Sequence, residues 1–281
     1  MYQTPTLQEL LEAGVHFGHQ VRRGHPRMKP YIFGAREGVH IIDLTQSEKF
    51  LKEACEFIYN LGKEEKSLLF VATKKQARPI VQEAAKRLNA PYMLERWMGG
   101  FLTNHDEIYK NIKKLKEYLG QKESGKLAKY TKKEQLLLER AMNKLQRDFE
   151  GVLEFEGLPD AVFIIDTVSE NVAVREASRM KIKIVAIADS NSNPSNIDYP
   201  IPGNDDAIKS IQILTDTVAQ AYEAGKKEAG KIADKKAATE AKAKEKADKI
   251  EISVTKEVEL EAAEAEEKLE KAAVKDAERK V

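Results

Sequence analysis

Three aspartates, Asp43, Asp166 and Asp189, each close an apolar run. Open α/β sheets bind their ligands at the ends of buried strands, so as a set these three resemble the strand-end carboxylates of many α/β enzymes. Capping a helix or closing a turn is the commoner use of aspartate at such positions. His16 and His19 are remote in sequence from Asp189 and Asp205, but a convergence of loops at one sheet edge would join them to either. That mixed nitrogen and oxygen donor set suits zinc, the candidate metal of this chain. The plainer reading packs or hydrogen-bonds both histidines beside the basic segment that follows them. The chain has no GxxxxGK and no GxGxxG after a strand, and ATKKQ (Ala72 to Gln76) stands where a nucleotide enzyme of this class places its glycines. No Ser/His/Asp or Cys/His set falls at a convincing spacing. An α/β nucleotide-binding protein or enzyme using Asp166, Asp189 and the loop to Asp206 is therefore the weaker of two readings.

The stronger reading begins at HFGHQVRRGHPRMKPYIFGAR (His16 to Arg36), which carries Arg22, Arg23, Arg27, Lys29 and Arg36 and no acidic residue. Phe17, Tyr31 and Phe33 are interleaved with these cations, and Pro26 and Pro30 are expected to hold the chain extended so that the cations project. Guanidinium forks match phosphate, and exposed rings suit unstacked bases, so this composition points to RNA. The formal net charge of +1 hides such regions because acid elsewhere balances them. One cysteine, Cys55, excludes an internal disulfide framework and fits a reducing compartment. With no apolar run long enough to span a bilayer and no signal-peptide pattern, the expectation is a cytoplasmic protein.

The elements that must position these residues alternate. Helical spacing predicts helices from Thr6 to Gly14, Thr45 to about Leu61, Gln76 to Leu88, Glu170 to Met180, and Asp205 to Ala224. Between them, Ser67 to Thr73, Tyr92 to Leu94, Ala161 to Asp166 and Ile182 to Ala188 read as buried parallel strands, and Tyr31 to Phe33 with Val39 to Ile42 as a hairpin. Such alternation predicts a doubly wound parallel sheet. The segment Ala188 to Ala207, rich in Asn, Asp and Pro, reads as a rigid loop at a strand end. Ile108, Ile112, Leu115 and Leu119, then Leu138, Ala141, Leu145 and Phe149, predict an inserted antiparallel helical hairpin whose seam packs mainly on itself. The expected organisation is an α/β core over residues 1–102 and 151–225 and a hairpin over 103–150. A charged Lys/Ala/Glu tail over 226–281, disordered or a frayed helix, completes it.

GVHFGH (Gly14 to His19), RMKPYIFGAREGVHIIDL (Arg27 to Leu44), RWMGGFLTN (Arg96 to Asn104), LPDAVFIID (Leu158 to Asp166) and DYPIPGNDDA (Asp198 to Ala207) closely resemble the bacterial small-subunit ribosomal protein S-two family. The matches fall in the family's order and cover roughly Thr6 to Ala224. Two departures stand out: Gly24-His25 replaces the Trp-Asn common before the proline, and Glu37 replaces a common Asn. The resemblance implies a flavodoxin-like three-layer α/β/α domain with a parallel sheet and an inserted α-helical coiled-coil hairpin, and no catalysis. It implies a structural constituent of the small ribosomal subunit near the head–body junction, active in late assembly. The implied partners are small-subunit rRNA, neighbouring small-subunit proteins and ribosomal protein S-one. The RNA-binding candidates are Arg22, Arg23, Arg27, Lys29, Tyr31 and Arg36, then Arg96 and Trp97 where the hairpin leaves the core. On the hairpin they are Lys110, Lys113, Lys114, Lys132 and Lys133, with Lys126 and Lys129 between its helices.

Overall fold

Runs of consecutive apolar residues become strands covered on both faces. In the computed structural model, which describes residues 2–124 and 131–231, five strands form one parallel sheet. They are β4 (Leu68–Val71), β5 (Tyr92–Met93), β6 (Ala161–Ile165), β7 (Lys183–Ala188) and β8 (Tyr199–Pro202), lying in the order β5-β4-β6-β7-β8. Counted within this sheet that is the 2-1-3-4-5 order of flavodoxin-like folds, whose ligand crevice opens at the carboxyl ends of the first and third strands. A smaller antiparallel sheet precedes it, with β1 (Phe17–Gln20), β2 (Ile32–Arg36) and β3 (Val39–Ile42) in the order β1-β3-β2.

Alternate residues of the parallel strands feed two cores. Leu68, Phe70, Phe163, Ile165, Val185 and Ile187 face the helices α1 (Leu7–Glu12), α2 (Leu44–Lys63) and α3 (Arg78–Leu88), and the closing helix α7 (208–231). Leu69, Val71, Val162, Ile164, Ile184 and Ala186 face α6 (Asn171–Met180) and two inserted helices, α4 (His105–Glu123) and α5 (Lys132–Phe149). A period of two thus sorts each strand between two layers of helix. Capping chemistry marks several helix starts: Thr6 and Glu9 form a reciprocal capping box on α1, Asp43 accepts the Thr45 amide on α2, and Thr131 with Glu134 repeats the box on α5.

Several expectations need correction. β8 lies inside the segment read as a loop. As the edge strand it pairs only with β7, and an edge accommodates the missing amides of Pro200 and Pro202. The basic segment is extended in β1 and β2 but not between them, where it forms two short 3₁₀ turns, Val21–Arg23 and Pro26–Tyr31, the second held by the His25 imidazole accepting the Arg27 amide. The helical spacing of Ile208, Ile211, Leu214 and Val218 predicts four inward residues on α7, but Ile208 is exposed and Ile211, Leu214 and Val218 are buried. Met142, not Ala141, is buried on α5 alongside Phe149. Ile108, Ile112, Leu115, Met142 and Phe149 all join the second core, where each fully buried side chain contributes about 1.5–3 kcal/mol. Residues 226–231 continue α7, with Lys226 donating to the Leu88 carbonyl at 3.0 Å and Glu228 paired with Lys63 at 3.0 Å. Residues 125–130, including Lys126 and Lys129, and 232–281 of the charged tail lie outside the described residues.

Candidate functional site

The loop between β7 and α7 holds the basic segment to the sheet. Ser190 accepts the His19 amide on its hydroxyl and the His25 amide on its carbonyl, both at 2.8 Å. Asn204 donates its backbone amide to the Val15 carbonyl and its side-chain amide to the Gly14 carbonyl, while its side-chain Oδ1 accepts the Asp206 and Ala207 amides ahead of α7. Arg27 reaches Ser195. At Gly18 the approach is so close that a Cβ would lie 2.8 Å from Ser190 Oγ and 3.2 Å from Asp189 Oδ1.

This strapping brings His19, Asp189, Asp205 and Asp206 together, with one ligand atom of each within 4.8 Å of the others. Of the four metal candidates, His19, Asp189 and Asp205 meet and His16 does not. Its ring packs on Phe17 with centroids 4.0 Å apart, in the turn that precedes β1. Asp206 takes the vacant role, and its signal was adjacency to Asp205 at the same bend. His19 Nδ1 lies 3.0 Å from Asp189 Oδ2 and Nε2 lies 3.4 Å from Asp206 Oδ2. A neutral imidazole donates through one nitrogen only, so this geometry favours the imidazolium. The Asp189 hydrogen bond accordingly raises the His19 pKa, against burial. Asp205 is fully buried, its Oδ2 has no hydrogen-bond partner among the described residues, and burial with the charges of Asp189 and Asp166 pushes its pKa up to about 7.

Lys74, in the segment where glycines would mark a nucleotide site, spans the crevice instead. Its ammonium is 2.7 Å from Asp205, 2.6 Å from Asp206 and 3.4 Å from Asp166. Burial opposes the charge, yet the bonds to Asp205 and Asp206 hold its pKa well above the ordinary lysine range. Asp166, with φ of 65°, spends its carboxylate on the Val168 and Ser169 amides and the Ser169 hydroxyl, a turn-closing role. Asp43 caps α2. The strand-end aspartates therefore divide into one helix cap, Asp43, one turn-closing residue at the edge of the charge cluster, Asp166, and one buried member of it, Asp189.

Arg22, Arg23, Arg27, Lys29 and Arg36 are all exposed, as are Arg96, Lys110, Lys113, Lys114, Lys132 and Lys133. Lys113 and Lys114 lie over the rings of Tyr109 and Tyr118, and Lys110 pairs with Glu107. Tyr31 is half-buried, edge-on to Phe50 at 5.3 Å. Trp97 departs from its predicted place on the RNA side. It is 6% exposed, packed against Phe101, and donates its indole N–H to Glu176 at 3.2 Å. The same carboxylate accepts the Gly100, Leu102 and Thr103 amides, so the RWMGGFLTN turn folds around an internal anion. Only the glycine pair and the tryptophan of this arrangement carried a local signal, because Glu176 approaches from 73 or more residues away along the chain. At Gly24, where a Cβ would lie 2.5 Å from His40 Nε2, the histidine fills the space that a side chain at 24 would need.

A flavodoxin-like sheet whose crevice is spanned by an internal lysine, with an acid-free basic segment strapped to its edge, places the chain among doubly wound α/β proteins. The sequence profile described as ribosomal protein S2 matches residues 10–225. The small ribosomal subunit protein uS2 of Nitratiruptor sp. is 47% identical over 221 residues, covering 79% of this chain and 83% of that one. Those of Acidothermus cellulolyticus, at 47% over 221 residues, and Hahella chejuensis, at 45% over 214, cover 78% and 76% of this chain and 80% and 85% of their own. The chain belongs to the ribosomal protein S2 family, a structural family of the small subunit and not one of enzymes. Among the described residues no helix is long and apolar enough to cross a membrane.

Proposed function

We propose that this protein serves translation in the cytoplasm by binding small-subunit rRNA near the head–body junction, through Arg22, Arg23, Arg27, Lys29 and Arg36. The observation that carries this reading is the acid-free run from His16 to Arg36, whose cations all stand in solvent while its backbone is tied to the protein. Cations presented on a fixed backbone neutralise phosphates with little ordering cost. Arg96 and the lysines of α4 and α5 add a second line of charge. Co-sedimentation with small ribosomal subunits across a salt series tests it. Removing one cation from one phosphate should reduce the slope of log affinity against log salt by about 0.7–0.9. Arg22→Ala, Arg23→Ala and Arg27→Ala together should therefore weaken binding and flatten the slope by about 2.1–2.7 units. An unchanged slope in the folded variant refutes the assignment.

The His19, Asp189, Asp205 and Asp206 cluster is proposed as a zinc site. The donor chemistry fits, and the Asp205 Oδ2, without a hydrogen-bond partner among the described residues, supplies a buried ligand. Zinc there would replace the imidazolium proton and leave the exposed Asp206 side open to a neighbouring protein, for which ribosomal protein S-one is the candidate implied by the family resemblance.

A further inference from the structure

We propose that Phe33 is a base-stacking residue, and that an unstacked nucleobase of the bound RNA lies against its ring. The inference rests on the RNA-binding reading and names one contact within it. Phe33 is 81% exposed, far more than any other large apolar side chain of the basic segment. A lone exposed apolar residue is ordinary on a protein surface, but four observations set this one apart.

The first is backbone geometry. Ile32 pairs with Ile42 and Gly34 with Ile41, so the β2–β3 register slips by one and Phe33 is the extra residue on β2. Such a bulge re-aims a side chain and is a common device beside functional sites. In regular alternation Phe33 would occupy a paired position in the small sheet. The second is clearance. β2 is an edge strand, and a Cβ placed on the adjoining Gly34 would meet nothing within 4 Å, so a flat group can approach the ring. The third is charge: Lys29 lies four residues before Phe33 and Arg36 three residues after it, both exposed. At about 3.3 Å per residue along a strand, Arg36 stands roughly 10 Å away, within one to two nucleotide steps of a backbone whose base contacts the ring. The fourth is rigidity, since β2 is locked to β3 and the Tyr31 carbonyl accepts the Asp43 amide at 2.9 Å. A fixed ring among cations stacks on any base, because every base presents a π face.

The test compares Phe33→Ala, Phe33→Leu and Phe33→Trp in the full chain, binding small ribosomal subunits that lack this protein. Exposure of the side chain predicts unchanged thermal unfolding for all three variants, measured in parallel. Phe33→Ala should bind about 5- to 150-fold more weakly, the range alanine substitution gives for base–aromatic stacking. Its salt slope should match the wild type, because every cation that meets a phosphate is still in place. Phe33→Leu should be nearly as weak, while Phe33→Trp should retain affinity and show its introduced indole quenched on binding. Wild-type affinity in Phe33→Ala overturns the proposal. So does full affinity in Phe33→Leu, which would mean a protein partner's apolar pocket covers the residue. If the triple arginine variant loses affinity and Phe33→Ala does not, only the stacking contact is wrong. If neither changes, the RNA assignment of the whole segment fails.

Discussion

Replacing Glu176 with glutamine removes one charge and keeps the side chain's size. In the native protein Oε1 accepts the Trp97 indole at 3.2 Å and the Gly100 amide at 2.7 Å. Oε2 accepts the Leu102 amide at 3.1 Å, the Thr103 amide at 3.4 Å and the Thr103 hydroxyl at 3.3 Å. Glutamine must present an NH₂ to one of these groups of donors, so at least two donors lose an acceptor and face another donor. Each buried donor left unpaired costs about 1–3 kcal/mol, which places Glu176→Gln about 2–6 kcal/mol below wild type. For a domain of this size that is a fall in Tm of roughly 4–24 °C, and the free-energy loss is large against a total stability of about 5–15 kcal/mol. Urea titration followed by circular dichroism measures the loss. Hydrogen exchange locates it, with Gly100, Leu102 and Thr103 expected to lose protection before the sheet amides. Subunit binding should weaken too, because these residues lead into α4 and its lysines. Burial raises the Glu176 pKa, but the Gly100, Trp97, Leu102 and Thr103 donors outweigh it and the net shift is downward. The folded-state pKa then lies below the unfolded value. The associated stability is fully present above the ordinary glutamate range near pH 4.3 and is lost as pH falls through the depressed folded value. Glu176→Gln should therefore flatten the acid limb of the stability curve below that pH. Wild-type stability with normal exchange at the three amides would refute the reasoning.

At the crossing of α2 and α7, a Cβ on Gly225 would lie 2.2 Å from the Tyr59 carbonyl oxygen and one on Gly62 would lie 2.6 Å from that of Tyr222. Gly225→Ala should force the helices apart and cost about 1–3 kcal/mol or more, whereas Gly120→Ala, with nothing within 4 Å, should gain up to about 1 kcal/mol from helix propensity; chemical denaturation of both variants reads the opposite signs. Glu37 and Gly38 have φ of 51° and 78° in the β2–β3 turn, so Glu37→Asn, the residue common in the family, should stabilise by roughly 0.5–1 kcal/mol by easing a left-handed glutamate; an unchanged urea midpoint would contradict this. Zinc binding measured by calorimetry and elemental analysis should be near stoichiometric in the wild type and absent in Asp189→Ala, and equal zinc content in both would exclude the cluster.

Local pattern carried most of the secondary structure in this chain. The uninterrupted apolar runs Leu68–Val71 and Ala161–Ile165 could be satisfied only by strands covered on both faces, and the Thr6/Glu9 pair announced the first helix because its hydrogen bonds span three residues. The acid-free composition of residues 16–36 likewise needed no partner to be read. Contacts closed over long distances were another matter. β8 escaped notice because prolines argue against a strand until the edge position is known, and Met142 replaced Ala141 because adjacent helical positions point about 100° apart and only the packed partner shows which of them is covered. His19 meets Asp189 and Asp206 only after β1 is strapped to Ser190, and Trp97 turns inward only because Glu176 is there to accept its N–H. Periodicity reports which side chains avoid water. Which charge lies beside which donor depends on chain segments tens to nearly two hundred residues apart, and the packed fold alone brings them within hydrogen-bonding range.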